Sequence, residues 1–518
     1  MKTLRSFVSG TWTIGHEPRI TLYDPTYEEP IAQTSTGGID FAAALSYART
    51  RGGAALRELT FAQRGEMLGA LAKAIHQVRE ELIELGIKNG GSTRSDAKFD
   101  IDGATGTLAH YAALGATLGN TMVLLDGARE GLARSPRYVG QHAWVSLHGV
   151  ALHINAFNFP VWGFAEKAAV ALLAGMPVVT KPATSTAMVA ERALEAALGA
   201  KVLPDGALSL VCGGAGDLLD HLRQQDVLAL TGSSHTAQLV RSHLQLRAGD
   251  VRQNVEADSL NAAVLAPDVA DSSDAYGLFL AEVARDVTQK AGQKCTATRR
   301  VIVPIRQRER VCQDLAERLG NVRVGDPRQK DVRMGPLATA AQLRDVQARL
   351  GRLREVTEVI SGGDRGTVVG VDENTGYFLA PTLLLARTPE AAGAVHDEEV
   401  FGPVATVMGY DETVAGAAHL VRLGGGGLVC SLYTDDATFV AGMLGAIGAY
   451  SGRLHLGSSK IAEHSVGPGT VLPHMIHGGP GRAGGGEELG GLRGLAFYMQ
   501  RVGVQGYAPL LDKILSIP

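Results

Sequence analysis

Val150-Ala151-Leu152-His153-Ile154-Asn155 and, one helix-like stretch later, Pro177-Val178-Val179-Thr180-Lys181 decide the fold class. Each is a short apolar run that ends in polar or basic residues, the pattern of a strand buried on both faces. The alanine- and leucine-rich segment between them favours a helix. Three more runs follow at Ala207 to Cys212, Val227 to Thr231 and Ala262 to Leu265, mostly with helix-like gaps. Strand and helix in repeated alternation predict an α/β chain with a doubly wound parallel sheet. Such sheets bind ligands at the carboxyl ends of their strands. Here those ends read Asn155-Ala156-Phe157-Asn158, Lys181-Pro182-Ala183-Thr184, Cys212-Gly213-Gly214-Ala215-Gly216 and Thr231-Gly232-Ser233-Ser234. They are mostly small, polar or basic, as a nucleotide site would be.

Further along, a second alternating region from about 296 to 440 predicts strands at Arg300 to Pro304, Ala405 to Tyr410 and Leu428 to Tyr433, with a glycine turn at Gly424-Gly425-Gly426-Gly427. Toward the N-terminus, turn-rich, strand-like pieces surround Tyr23-Asp24-Pro25 and Glu29-Pro30. Met67, Leu71, Ile75, Val78, Leu82 and Leu85 recur every three or four residues, which predicts one long amphipathic helix. Glycines crowd Gly478 to Gly491, and Leu495 to Val504 reads as a strand.

Composition narrows the function. A length of 518 residues suggests two to four domains at about 150 residues each. With 45% hydrophobic and 20% charged residues the chain is not globally disordered, and a net charge of −4 argues against a nucleic-acid partner. Cys212, Cys295, Cys312 and Cys430 form no C-x-x-C pair and no metal-like cluster, so no metal is expected and a reducing, cytoplasmic setting is. The apolar run after Lys2 and Arg5 is broken at Ser9-Gly10-Thr11, unlike a secretory leader. Val161 to Val179 contains Glu166 and Lys167, unlike a membrane span of about 20 apolar residues.

Cys295 lies in a small-residue loop, Gly292-Gln293-Lys294-Cys295-Thr296-Ala297, between an expected helix (Tyr276 to Gln289) and a strand. Such a loop leaves room for a substrate and offers backbone N–H groups to a thiolate or oxyanion. Taken alone, it equally suits a packed cysteine. Glu256, just before Ala262 to Leu265, reads as a solvated turn carboxylate or, beside a nucleophilic cysteine, as the base that activates water. Asn158 is a turn residue or an amide donor to an oxyanion.

Five motifs in order carry more. Phe157-Asn158-Phe159-Pro160, Thr180-Lys181-Pro182-Ala183, Leu230-Thr231-Gly232-Ser233, Gly292-Gln293-Lys294-Cys295 and Glu398-Glu399-Val400-Phe401-Gly402-Pro403 resemble motifs of the aldehyde dehydrogenase superfamily, and the resemblance covers nearly the whole chain. It implies a Rossmann-type cofactor domain (1–128 and 148–257), an α/β catalytic domain (258–467) and an oligomerisation element (129–147 and 468–518). In that element the hairpin-like stretch Leu132 to Leu147 would pair with Leu495 to Val504 in a homodimer, a tetramer remaining open.

The resemblance also implies roles. Cys295 attacks the aldehyde and passes through a thiohemiacetal to a thioester. Asn158 and the Cys295 N–H hold the oxyanion, worth about 3–4 kcal/mol. Glu256 activates the hydrolytic water. Lys181 binds the adenosine ribose, Glu399 and Phe401 position the nicotinamide riboside, and Gly216, Gly232 and Ser233 border the dinucleotide. Lys167 corresponds to a family lysine near the site or to a plain surface lysine. Thr184 stands where NAD-preferring members commonly carry a glutamate; without that carboxylate a 2′-phosphate is not repelled, which favours NADP, with NAD possible.

Asn254-Val255-Glu256-Ala257-Asp258-Ser259 and the glycine-rich loop from His477 to Gly491 resemble one branch, the aldehyde dehydrogenases of aerobic coenzyme A-linked aromatic degradation. That branch implies a small aldehyde carried on a CoA thioester as substrate. His477 is either a substrate contact or a turn histidine. Arg134, Arg137 and Arg482 are candidate phosphate contacts or solvated charges. Rival readings are a CoA-acylating aldehyde dehydrogenase, a general medium-chain aldehyde dehydrogenase and a non-redox cysteine hydrolase. The base Glu256 argues against the first, and the last lacks a histidine partner near Cys295 in sequence.

Overall fold

A computed structural model describes residues 1–515 and contains two seven-stranded sheets. The first runs Arg252–Glu256, Val227–Thr231, Ala151–Ile154, Val178–Lys181 and Leu208–Leu210, all parallel, and closes with the antiparallel strands Ser6–Val8 and Thr11–Thr13. Successive side chains point to opposite faces, and both faces are covered. Val150, Leu152, Val179, Leu228 and Leu230 join one apolar cluster with Phe41 and Leu45. Ala151, Val178 and Val227 join the other, beneath the helices Phe61–Gln77, Arg94–Leu118, Trp162–Leu173 and Ala187–Gly199.

The second sheet runs Glu358–Ser361, Thr382–Ala386, Val404–Tyr410, Arg300–Pro304, Ala262–Leu265, Gly427–Tyr433 and Ser451–Gly457, parallel except for its first strand. It too is sandwiched: Val264, Ile302, Leu384 and Met408 face one cluster, Ala263, Val301, Leu383 and Val407 the other.

Three expectations need correction. The run Ala262–Leu265 belongs to this second sheet, and the fifth parallel strand of the first is Arg252–Glu256. Its polar letters hide a strand because Asn254 is satisfied from far away, donating to Glu488 Oε1 (3.3 Å) and accepting from the Glu487 N–H (2.8 Å). The long helix is two, Phe61–Gln77 and Arg79–Gly90, broken at Val78 (φ −102°, ψ 18°). Thr60 opens the first with a reciprocal capping box to Gln63. Finally, the hairpin strands are Leu124–Gly131 and Tyr138–Ser146, the latter pairing antiparallel with Met499–Tyr507, while Leu495 lies in a 3-10 turn. Leu132 to Leu147 therefore held only the turn and the second strand. No helix among the described residues is long and apolar enough to cross a membrane.

Candidate active site

The carboxyl ends of the first sheet converge on a cleft of about 350 Å³. Ile154 and Lys181 are in register, as are Thr231 and Glu256, so Asn158, Lys181, Gly232, Ser233 and Glu256 all reach it. Glu399, Phe401 and Cys295 close it from the second sheet's side. Of the expected site residues, Thr184 and Gly216 do not line this cleft. The Thr184 hydroxyl donates to the Gly213 carbonyl (3.1 Å), and Gly216 packs near Phe41. Ser233 caps the helix Ser234–Ser242, and Asp258 accepts from the Ser234 N–H (2.8 Å) and hydroxyl (2.7 Å) at the same helix start.

The Cys295 loop is held against strain. After the helix Asp274–Thr288, Lys290, Ala291 and Gly292 all take left-handed φ values of 53°, 51° and 68°. For the two non-glycine residues this costs about 1–3 kcal/mol each. At Gly292 a Cβ would lie 2.2 Å from the Gly402 carbonyl oxygen, so no side chain fits. Arg299 clamps the loop, donating to Gly402 O (2.8 Å), Gly292 O (2.9 Å) and Lys294 O (3.1 Å). Asn261 donates to Cys295 O (2.7 Å) and Ala297 O (3.0 Å), and buried Lys294 pairs with Asp286 (2.7 Å). No sequence motif marked Arg299 or Asn261; both are recognisable only by what they reach.

Beside Cys295, the Glu256 and His477 side chains meet at 3.0 Å (Oε2 to Nε2), and His477 Nε2 lies 3.8 Å from Cys295 Sγ. All three offer ligand atoms within 4.8 Å of one another, the one metal-capable grouping of this kind among the described residues. Glu256 is the last residue of its strand and 2% exposed, so it is no solvated turn residue. His477 lies in the short strand Ile476–Gly478 and is equally buried. The turn reading fails because the glycine-rich segment folds back as a hairpin, with His477 opposite Glu488.

Burial opposes charge on both members of the ion pair, yet each outweighs it for the other. His477, then Lys167, hold the Glu256 carboxyl down at about 2, and Glu256 raises the imidazole above its ordinary 6.5. Burial, then the Glu256 carboxylate, push the Cys295 thiol well above 9.0. Cys295 thus rests as a thiol beside the ionised Glu256 carboxylate. The Asn158 amide donates one N–H to the Gln293 carbonyl (2.9 Å), and the residue lines the same cleft as Cys295.

Lys167 is fully buried between Glu166 (3.3 Å) and Glu488 (3.0 Å), which removes the surface-lysine reading. Burial raises Glu488 to about 7 against the pull of Lys167. It raises Glu399 to about 7 as well, although Arg299 stands 3.5 Å away and the Ser259 N–H donates to Glu399 (3.0 Å).

On its far side, Cys295 borders a second, narrow pocket of about 30 Å³ lined by Phe159, Trp162, Glu166, Val471 and His477, among others; Asn158, Glu256 and Cys295 line both spaces. A cysteine between a cleft of dinucleotide size and a small pocket, with a buried carboxylate beside it, is an arrangement that suits covalent redox chemistry.

The aldehyde dehydrogenase family model matches residues 12–504, and the chain belongs to that family. It is 43% identical, over 478 residues covering 92% of this chain and 93% of the relative, to 3,4-dehydroadipyl-CoA semialdehyde dehydrogenase of Aromatoleum evansii. Protein MaoC of Klebsiella aerogenes is 42% identical over 183 residues, 35% of this chain and 52% of that protein. Among solved structures, betaine aldehyde dehydrogenase of Staphylococcus aureus in complex with NAD+ superposes with a TM-score of 0.84 at 21% identity, covering 97% of this chain and 94% of that one. The fold, two α/β sheets with a Rossmann-type cofactor side, is that of the family.

Proposed function

We propose that this aldehyde dehydrogenase oxidises a CoA-linked semialdehyde, of the 3,4-dehydroadipyl-CoA semialdehyde type met in aerobic aromatic and benzoate degradation, to the carboxylic acid. The position of Cys295, between a dinucleotide-sized cleft and a separate pocket and within reach of Glu256, carries the reading. The 43% identity to a CoA-semialdehyde dehydrogenase supports the substrate class.

The cleft residues suit a nicotinamide dinucleotide. Among the described residues, Lys181 Nζ bonds only its neighbour's carbonyl, Pro182 O (3.2 Å), and the buried Glu399 Oε1 has Arg299 at 3.5 Å but no hydrogen bond. Lys181 would hold the adenosine ribose, Glu399 and Phe401 the nicotinamide riboside, Gly232 and Ser233 the phosphates. Bound there, the cofactor supplies the hydride acceptor.

The chain's own residues do the rest. As Cys295 Sγ adds to the aldehyde carbon, its proton passes to the Glu256–His477 pair. Asn158 and the Cys295 N–H stabilise the oxyanion of the thiohemiacetal. Once the acyl group is a thioester on Sγ and that first proton has left to solvent, Glu256 takes a proton from water, which attacks the carbonyl carbon; as the acid leaves, the proton returns from Glu256 to the sulfur. A resting thiol with a raised pKa limits side reactions before substrate arrives.

The lack of a carboxylate at position 184, next to the cleft-lining Ala183, favours NADP over NAD. The same reading divides the chain at about residue 257, supported by the first sheet's strands all lying within 6–256 and the second's within 262–457. It also joins two subunits through the three-stranded sheet, whose flanking strands carry exposed Leu125, Val502 and Tyr507. The test is cofactor reduction with the CoA-linked semialdehyde and no free CoA, using NADP and NAD in parallel. Turnover with a higher kcat/KM for NADP is expected. Activity only after adding free CoA would replace hydrolysis by acyl transfer to CoA.

A further inference from the structure

Three hollows lie one beyond the other outward from Cys295, each sharing wall residues with the next. The narrow pocket at the sulfur shares Trp162 and Val471 with a funnel of about 510 Å³, bordered by Lys98, His110 and His474. That funnel shares Ser95 and Gln289 with an outer cleft of about 630 Å³, walled by Arg94, Arg285, Arg328, Lys330 and Arg333 against only two acids, Glu84 and Asp96. All five cations are exposed on a chain whose overall charge is −4. Arg94, Arg285 and Arg328 already face carboxylates, whereas Lys330 and Arg333 engage no carboxylate among the described residues. The nicotinamide cleft shares no lining residue with this cleft, so its own phosphates do not account for the cations.

We propose that the cleft around Lys330 and Arg333 binds the phosphates of the 3′-phosphoadenosine diphosphate end of a CoA thioester, whose pantetheine arm runs through the funnel to present the aldehyde to Cys295. The chemistry fits: guanidinium forks and an ammonium at the rim match several phosphate oxygens. A narrow inner end beyond a wide basic mouth suits a small acyl aldehyde on a long, polyanionic handle. Unlike the five rim cations, Arg134 and Arg137, singled out from sequence, line none of these three hollows.

This inference rests on the CoA-linked reading above, and the test separates the two. Wild type and the double variant Lys330→Glu/Arg333→Glu are compared by kcat/KM for a CoA-linked semialdehyde and for a short aldehyde without CoA. Binding of adenosine 3′,5′-bisphosphate to the dinucleotide-saturated enzyme is measured by calorimetry. The preference for the CoA-linked substrate is expected to fall about tenfold or more, through KM, with loss of bisphosphate binding. Arg285→Glu, across the cleft, should act in the same direction, which guards against misfolding of the first variant. An unchanged preference with CoA-linked turnover intact overturns the cleft assignment and leaves the substrate reading standing. A wild type that oxidises only the CoA-free aldehyde overturns both.

Discussion

Replacing Lys167 by methionine removes the cation at the centre of a buried acidic cluster while keeping much of its volume. Lys167 Nζ lies 3.0 Å from Glu488 and 3.3 Å from Glu166, and the three side chains are 0%, 6% and 10% exposed. Stranding a buried charge costs about 3–5 kcal/mol. Protonation of Glu488 can relieve the loss. Burial already raises its carboxyl from 4.5 to about 7, so the native state binds more protons than the unfolded chain in that window, and stability falls as pH rises through it. Without Lys167 the folded pKa rises further and the decline continues past 7. The variant should therefore be destabilised toward the lower end of the range at pH 6 and the upper end at pH 9. Urea unfolding followed by tryptophan fluorescence, for Lys167→Met, Glu488→Gln and both together, reads this directly. Glu488→Gln should recover at least about 1 kcal/mol in the Lys167→Met background, the non-additivity of neighbours in one network. A variant within about 1 kcal/mol of wild type at both pH values, or simple additivity, would refute the buried-cluster account.

Two more outcomes follow from the site. In His477→Phe the Glu256 carboxyl loses its principal counter-charge, so burial raises its pKa and the acid limb of kcat moves to higher pH; a profile of unchanged shape would remove His477 from the mechanism. The stability of that ion pair is fully present only from about 4.5 to 6.5. It is lost below as Glu256 protonates toward about 2, and above as His477 deprotonates through its raised value. Gly292→Ala forces a methyl against the Gly402 carbonyl at φ 68° and should cost about 2–4 kcal/mol together with most of the turnover; thermal unfolding within about 1 kcal/mol of wild type would show that the loop relaxes freely.

The strands were legible where burial on two faces leaves an apolar run, as at Val227–Thr231 and Arg300–Pro304, both found with their ends intact. Arg252–Glu256 was not, because its buried Asn254 is satisfied by Glu487 and Glu488, more than two hundred residues away. The break at Val78 escaped because the apolar spacing continues across it. Cys295, Glu256 and Asn158 could be named from the stretches that carry them, and all three line the same two hollows, from opposite sheets. The partnership of His477 with Glu256 could not, since only the return of the glycine-rich hairpin brings them to 3.0 Å. Nor could the basic cleft, whose cations come from three separate segments around Arg94, Arg285 and Arg328.

The division of labour between Cys295 and Glu256 is the central claim, and one rapid-mixing experiment tests it. With Glu256→Gln and a competent aldehyde, the account predicts a burst of about one reduced cofactor per subunit, then a stall, with an acyl group found on Cys295 by peptide mass. Cys295→Ala should give no burst at all. Multiple turnovers by Cys295→Ala, or a Glu256→Gln enzyme that turns over at the wild-type rate without accumulating the acyl group, would contradict it.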